Sequence, residues 1–401
     1  MEKLIVILLL VFAVGTHAAS FPFIHNYVMR IDCGLNGKTT ENYNNQTWFP
    51  DSFFIGPGKT KQITSSPNVS QIMTTLRYFP HGQDMNCYRL QLINTQKYIF
   101  RAGFYYANYD SKSQPPVFDL FLGGQLWETV NSSDGLVFHE LVYAPRNDNI
   151  SVCLMGRKES GGTPFISSLE ATFLNQDLTN NRTLYGMMRN GTAYHLVARL
   201  NFGGYDEVVE PWSGWNLFCE EQLNRYWTPQ PMPGYTNLTF VPAFCSGTDY
   251  ENRPPNSVMN TAISPSNASQ SIYVPVDLPT TTPQSAYIVL FFYQNVDGPP
   301  ETLNATRNMD VYIDGVMRRN VKLQGLRSGE VVTLYPVLVQ GTVNVTISPA
   351  NGTVLPPLLN GMEVFYGTEL AEESSGGVEI SSSLIVVGVC QLFVSLLLGL
   401  L

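Results

Sequence analysis

Short stretches of this chain alternate apolar and polar positions and break at Gly, Pro, Asn or Asp. Phe118-Asp-Leu-Phe-Leu122 runs into Gly123-Gly124, and Val311-Tyr-Ile-Asp314 runs into Gly315. Such period-two stretches, rich in Val, Ile, Tyr and Phe, predict strands that end in tight turns. Val331–Val339 and Thr342–Ile347 flank Gln340-Gly341 and predict a hairpin. No helical period persists for more than about ten residues outside the two ends. The pattern predicts an all-β fold.

The pattern also repeats. The first half opens with Arg30-Ile-Asp-Cys-Gly34 and the second with Arg199-Leu-Asn-Phe-Gly203. Trp48-Phe-Pro50 and Trp227-Thr-Pro229 follow, then the aromatic stretches Tyr98–Asp110 and Tyr287–Asp297, and finally Pro164–Glu170 and Pro357–Glu363. Asp119 and Glu170 are 51 residues apart, and Asp310 and Glu363 are 53 apart. The same order at near-equal spacing identifies two copies of one domain, each read as a two-sheet β-sandwich. The expected boundaries are 28–174 and 193–367, with 175–192 as a linker.

The ends concern trafficking. Residues 1–19 combine a charged start, the apolar run Leu4–Val14 and small residues at Ala18 and Ala19, which is the pattern of a signal peptide cleaved between Ala18 and Phe21. Residues 368–401 form a polar spacer followed by the uncharged run Leu384–Leu401. As a helix that run would cover about 27 Å, roughly a bilayer core. The basic residues of a resident span's cytoplasmic flank do not follow it. Small residues ahead of the spacer match a GPI-attachment signal with Ser374, Ser375 or Gly376 as the attachment site; a retained C-terminal transmembrane helix is the alternative. Both ends imply the secretory pathway and the outer face of the plasma membrane or the apoplast.

Eleven Asn-X-Ser/Thr sequons fit that route, at Asn45, Asn68, Asn131, Asn149, Asn181, Asn190, Asn237, Asn267, Asn304, Asn344 and Asn351. Charged residues are only 14% and aromatics reach 12%, which excludes a disordered chain and argues against a coiled coil. The net charge of −9, without any basic run of five, argues against a nucleic-acid partner. Of six cysteines, Cys390 lies in the apolar tail; Cys33–Cys87 and Cys219–Cys245 are the expected disulfides, with Cys153 a buried thiol. There is no C-x-x-C and no Cys/His cluster, so no metal site and no cofactor are expected. The histidines beyond the signal peptide, His25, His81, His139 and His195, are scattered, and neither H-E-x-x-H nor G-x-S-x-G occurs, so no enzyme is expected. Asp119, Glu170, Asp310 and Glu363 recur in both copies, which points to a shared fold role.

Several motifs carry a family resemblance: Arg30-Ile-Asp-Cys-Gly34, Leu76-Arg-Tyr-Phe-Pro80, Asn86-Cys-Tyr-Arg-Leu90, Thr163-Pro-Phe-Ile-Ser-Ser-Leu-Glu170, Asn224-Arg-Tyr-Trp227 and Pro255-Asn-Ser-Val-Met-Asn-Thr-Ala262. The chain resembles the plant malectin-like domain over roughly residues 28–367. The resemblance implies two tandem malectin-like, jelly-roll-like sandwiches of the kind found in ectodomains of plant receptor-like kinases. It implies extracellular recognition, with cell-wall glycan or a secreted peptide as ligand and a receptor-like kinase as partner. Leucine-rich repeats and a kinase are absent from the sequence, so a co-receptor, decoy or wall-tether role is expected, and membrane contact would run through the lipid anchor or tail.

Sugar binding needs exposed aromatic faces beside amide or carboxylate groups. The run from Phe104 to Asp110 offers Tyr105, Tyr106 and Tyr109 with Asn108 and Asp110. The resemblance places Asn108, Tyr109 and Asp110 where malectin has its sugar-lining aromatics, of which only Tyr109 keeps a ring. The competing reading has these rings packing within the fold. Trp212 and Trp215, in a Gly/Pro-containing loop of the second copy, are further candidates; Trp48 and Trp227 recur in both copies and read as structural.

Overall fold

The computed structural model describes residues 28–369 apart from 38–39, 42–45, 65–68, 81–83, 94, 133–134, 159–161, 175–183, 205–220, 222, 241–249, 280–281, 296–305 and 326. The signal peptide, the C-terminal tail, Trp212, Trp215, Cys219 and Cys245 lie outside the described residues.

The first half contributes β1 (Val28–Asp32), β2 (Thr40–Glu41), β3 (Thr47–Pro50), β4 (Lys59–Gln62), β5 (Thr75–Tyr78), β6 (Asn86–Gln91), β7 (Tyr98–Tyr105), β8 (Val117–Leu122), β9 (Gln125–Asn131), β10 (Leu136–Tyr143), β11 (Asn149–Gly156), β12 (Phe165–Ile166) and β13 (Ser168–Phe173). The second adds β14 (Thr192–Phe202), β15 (Thr228–Gln230), β16 (Thr236–Thr239), β17 (Thr261–Ser264), β18 (Ile272–Asp277), β19 (Gln284–Asn295), β20 (Thr306–Ile313), β21 (Val316–Gln324), β22 (Arg327–Val339), β23 (Thr342–Pro349) and β24 (Gly361–Glu369).

The repeat is visible in the pairing. Strands run β1-β13-β7-β10 and β6-β11-β8-β9 in the first half, and β14-β24-β19-β22 and β18-β23-β20-β21 in the second. β3 lies parallel to β1, and β15 lies parallel to β14. Even the irregularities recur: β9 bulges at Trp127 opposite Leu120/Phe121 of β8, and β21 bulges at Arg318 opposite Val311/Tyr312 of β20. Gly123-Gly124 and Asp314-Gly315, all at positive φ, close the two-residue turns that follow. Gln340-Gly341 behaves differently. β22 pairs with β19, whereas β23 pairs with β18 and β20, so this turn crosses between sheets and the expected hairpin does not form.

Burial follows the layering. β8 and β20 alternate because one face of each meets a core. β7 and β19 are buried along almost their whole length, because their sheet is covered on both faces. Ala286, Ile288, Leu290 and Phe292 fill the second sandwich. Tyr287, Val289, Phe291 and Tyr293 point the other way, into a cluster with Tyr185, Trp227 and Phe365.

That third cluster also takes Ile99 and Val142 from the first half. β10 pairs with β14 through Leu141↔His195 and Val142↔Tyr194, which joins the two halves in one eleven-stranded sheet. Of the segment expected as a linker, residues 175–183 lie outside the described residues, while Leu184, Tyr185 and Met188 are buried in the cluster.

The cysteines require a correction. Cys87 and Cys153 face each other on β6 and β11 and form a disulfide. Cys33 is a free, fully buried thiol, so neither the expected Cys33–Cys87 bond nor a Cys153 thiol is present. The reason is topological: sheet order sets β11 beside β6, while Cys33 follows β1 and turns its side chain into the core.

Candidate functional site

The aromatic loop after β7 was the first candidate for ligand contact. Four of its residues that are not glycine have left-handed backbones: Ala107, Asn108, Ser111 and Ser113. Each such residue costs on the order of 1 kcal/mol and persists only where other bonds hold it. Those bonds are internal. Tyr106 donates its hydroxyl to Asp110 Oδ1 at 2.6 Å and accepts from the Gln114 N–H at 3.2 Å. Asn108 Oδ1 accepts from the Ser113 N–H at 2.7 Å, and Asp110 Oδ1 from the Lys112 N–H at 3.2 Å.

The rings point inward. Tyr106 is 1% exposed and Tyr109 is 7% exposed. Tyr109 packs on Phe165 and Tyr78, each with centroids 5.3 Å away, and donates its hydroxyl to Thr163 O at 3.2 Å. Burial, reinforced by Asp110, pushes the Tyr109 phenol well up. Tyr105 is half-buried against the same core. The loop therefore brings Asn108 and Asp110 together at a polar rim, while Tyr106 and Tyr109 belong to the packing beneath it. The corresponding second-half loop, 296–305, lies outside the described residues.

Trp48 and Trp227 are both buried. Trp227 donates its indole N–H to Glu221 Oε2 at 2.9 Å and meets Phe291 edge-on at 5.5 Å. Arg225 lies over its ring at 5.0 Å.

Under these aromatics runs a feature that the repeat motifs announce only in part. Six consecutive strands of the long sheet each place one charge on the same face: Arg30 on β1, Glu170 on β13, Arg101 on β7, Glu140 on β10, Arg199 on β14 and Glu363 on β24. The signs alternate, and each neighbour pairs with the next at 3.8, 3.3, 2.7, 2.7 and 2.6 Å. Arg225 continues the row to Glu363 at 3.7 Å, and Glu221 closes it at 3.0 Å. Burial alone would raise the Glu140 carboxyl, but Arg199 and Arg101 outweigh it and hold it below the usual range. The row crosses the β10–β14 seam, so Glu140 of the first half is shared between an arginine from each half. Removing such charges from water is costly, and their alternation along the row offsets that cost. Arg30 and Arg199 open the two sequence repeats, and Glu170 and Glu363 close them. Asp119 and Asp310 instead accept side-chain bonds at the surface, from Thr129 at 2.9 Å and Asn320 at 2.7 Å.

A second buried set surrounds the first repeat's opening motif. Asp51, fully buried, accepts Arg77 Nε and Nη2 at 2.6 and 2.7 Å, the Gly34 N–H at 3.0 Å and the Tyr88 hydroxyl at 3.0 Å. Gly34 is indispensable here. Its φ is +94°, and a Cβ would sit 2.2 Å from Leu76 O. Asp32 accepts a bond from the Thr75 hydroxyl. Burial pushes its carboxyl up to about 7, with the Thr75 bond opposing and Asp51 reinforcing.

His139 and His195 are held down at about 4 by burial, and His195 stacks on Tyr366 with centroids 4.8 Å apart. His25 and His81 lie outside the described residues. Among the described residues, no group of three or more His, Cys, Asp or Glu side chains is placed to hold a metal ion. Among them, too, no helix is long and apolar enough to cross a membrane.

Two copies of one strand order, each opened by its Arg-x-Asp/Asn-x-Gly motif, accompany a match of residues 31–367 to the family model of the malectin-like domain. The chain belongs to the malectin-like family. Curated malectin-like relatives include a leucine-rich repeat receptor-like serine/threonine-protein kinase of Arabidopsis thaliana, 29% identical over 87% of this chain and 39% of its own length. A probable LRR receptor-like serine/threonine-protein kinase from the same plant is 30% identical over 85% of this chain and 38% of its own. The chain thus spans about two fifths of the length of these relatives. Among solved structures, the ANXUR2 extracellular domain of Arabidopsis thaliana shares the fold with a TM-score of 0.66 at 15% identity, covering 86% of this chain and 97% of that one. The plant receptor-like kinase FER gives 0.65 at 18% identity over 86% and 97%. FER in complex with the plant peptide RALF23 and LLG2 gives 0.63 at 18% identity over 85% and 95%. The expected fold, all-β and malectin-like, is the fold observed.

Proposed function

We propose that this chain is an extracellular recognition module that binds a secreted peptide alongside a receptor-like kinase at the plant cell surface. The closed aromatic loop carries this choice over a wall glycan. With the Tyr106 and Tyr109 rings in the core and their hydroxyls committed, the loop has a hydrogen-bonding rim but lacks the ring faces on which a pyranose stacks. The peptide complex of FER, a neighbour in fold, supports the same choice.

GPI attachment at Ser374, Ser375 or Gly376 and N-glycosylation complete the reading. Every described sequon asparagine, at positions 131, 149, 190, 237, 267, 344 and 351, is exposed, as glycosylation requires. Those at 45, 68, 181 and 304 lie outside the described residues.

The test sets the secreted mature chain against a panel of plant peptides by calorimetry and against an oligosaccharide array. Saturable peptide binding with a silent array is expected. Reproducible oligosaccharide binding that Asn108→Ala with Asp110→Ala removes, the circular dichroism being unchanged, would overturn the proposal in favour of a lectin.

A further inference from the structure

The outer face of the β18-β23-β20-β21 sheet carries aromatic surface that packing leaves uncovered. Tyr273 on β18 is 61% exposed; Thr346 on β23, Tyr312 on β20 and Met317 on β21 continue its cross-strand row. Asn344 lies on the same face, opposite Pro275 and diagonal to Tyr273. Diagonal neighbours in an antiparallel sheet are about 7–8 Å apart, a gap that one sugar ring spans. Asn344-Val-Thr346 is a sequon, and its asparagine is already held in place. Its backbone N–H and Nδ2 donate to Asp314 Oδ1 at 2.8 and 3.3 Å. A glycosylated amide retains one N–H, and the backbone N–H of Asn344 keeps its bond to Asp314, so the residue stays anchored after modification.

The first half supplies a comparison. Phe121 pairs with Cys153 as Tyr312 pairs with Thr346, and each directly follows a matching register shift and precedes a matching turn. By this register Cys153 corresponds to Thr346, and Cys87 to Tyr273. Where the first half ties its two strands with a disulfide, the second places an exposed tyrosine beside the threonine of a sequon.

We propose that Asn344 carries an N-linked glycan whose first N-acetylglucosamine lays its apolar ring face on Tyr273, clamping β23 to β18 as the disulfide clamps β11 to β6. This rests on the glycosylated reading above. In the modification, Asn344 Nδ2 forms a bond to sugar C1, the bond from C1 to a lipid-pyrophosphate donor breaks, and Nδ2 gives up one proton. The sugar's C–H face meets the tyrosine ring while its hydroxyls stay in water.

The mature chain secreted from plant cells, treated with tetranitromethane, tests the clamp. Peptide mass spectrometry reads both the occupancy of Asn344 and the nitration of Tyr273, and unreactive, buried Tyr88 reports an intact fold. Nitration of Tyr273 is expected to be several-fold faster in Asn344→Gln and in Thr346→Val, each of which removes the sequon, and unchanged in Asn351→Gln. An unmodified Asn344 in the wild type would overturn the proposal together with the glycosylated reading at this sequon. An occupied Asn344 with equal nitration in all variants would overturn the clamp alone.

Discussion

Replacing Asp32 by asparagine is expected to raise stability at neutral and alkaline pH and leave it unchanged in acid. The second half already contains the result. Asn201 holds the position of Asp32 and accepts from the Thr261 hydroxyl at 3.1 Å, as Asp32 accepts from Thr75. The socket accommodates a neutral amide. Burial lifts the Asp32 carboxyl from 3.8 to about 7, so the folded protein binds this proton more tightly than the unfolded chain does. Its contribution is therefore complete below pH 3.8 and is lost as pH rises through 7. The rise from 3.8 to about 7 has a ceiling of ~4 kcal/mol, at ~1.36 kcal/mol per tenfold change in proton affinity. Relaxation and water entry around the ionised group reduce the expected difference to ~1–2 kcal/mol. Urea denaturation of wild type and Asp32→Asn across acidic to mildly alkaline pH measures it, the difference between the two curves cancelling the other titrating groups. Asn201→Asp should install the same dependence in the second half. Parallel curves, or an Asp32→Asn variant less stable than wild type in alkali, would refute the reasoning.

Three further outcomes follow from other sites. Glu140→Gln takes one anion from between Arg101 and Arg199 and should cost about 3–5 kcal/mol in a denaturation curve. The double variant Cys87→Ser with Cys153→Ser opens a cross-link between residues 66 apart and should lose about 4 kcal/mol, while a non-reducing peptide map of the wild type should recover the Cys87–Cys153 pair. Tyr109→Ala should cost about 3–5 kcal/mol through its cavity, and Tyr109→Phe only about 1 kcal/mol for the lost bond to Thr163, both read by thermal melts; equal losses would mean that the hydroxyl rather than the ring holds the loop.

Strands such as β8 and β20 were legible because they meet their core with one alternating face. Their partners were less so. Gln340-Gly341 looks like a hairpin turn because the flanking strands alternate correctly, yet alternation carries no information about which sheet a strand joins. Cys153 was misread for the same reason: its bond depends on β11 lying beside β6. The charge row was half visible. Arg30 and Arg199, and Glu170 and Glu363, recur at matching positions, but their union across six strands depends on contacts between residues far apart in sequence. For Tyr106 and Tyr109, the run from Phe104 to Asp110 fits a binding surface and internal packing alike, and the local bonds of a left-handed loop decide for packing by turning the rings inward.

The seam between β10 and β14 changes what duplication can do for such a molecule. Two sandwiches on a tether could bind by closing on a ligand like jaws, at an entropic cost for each closure. Two sandwiches that share a sheet and a row of alternating charge have given up that motion. A partner touching both halves meets them in an arrangement settled during folding, so the ordering cost is met before encounter. A half cut away from its twin would bare the edge of β10 or β14 and strand a buried arginine or glutamate. The duplicated unit is therefore expected to be gained or lost in evolution as a pair.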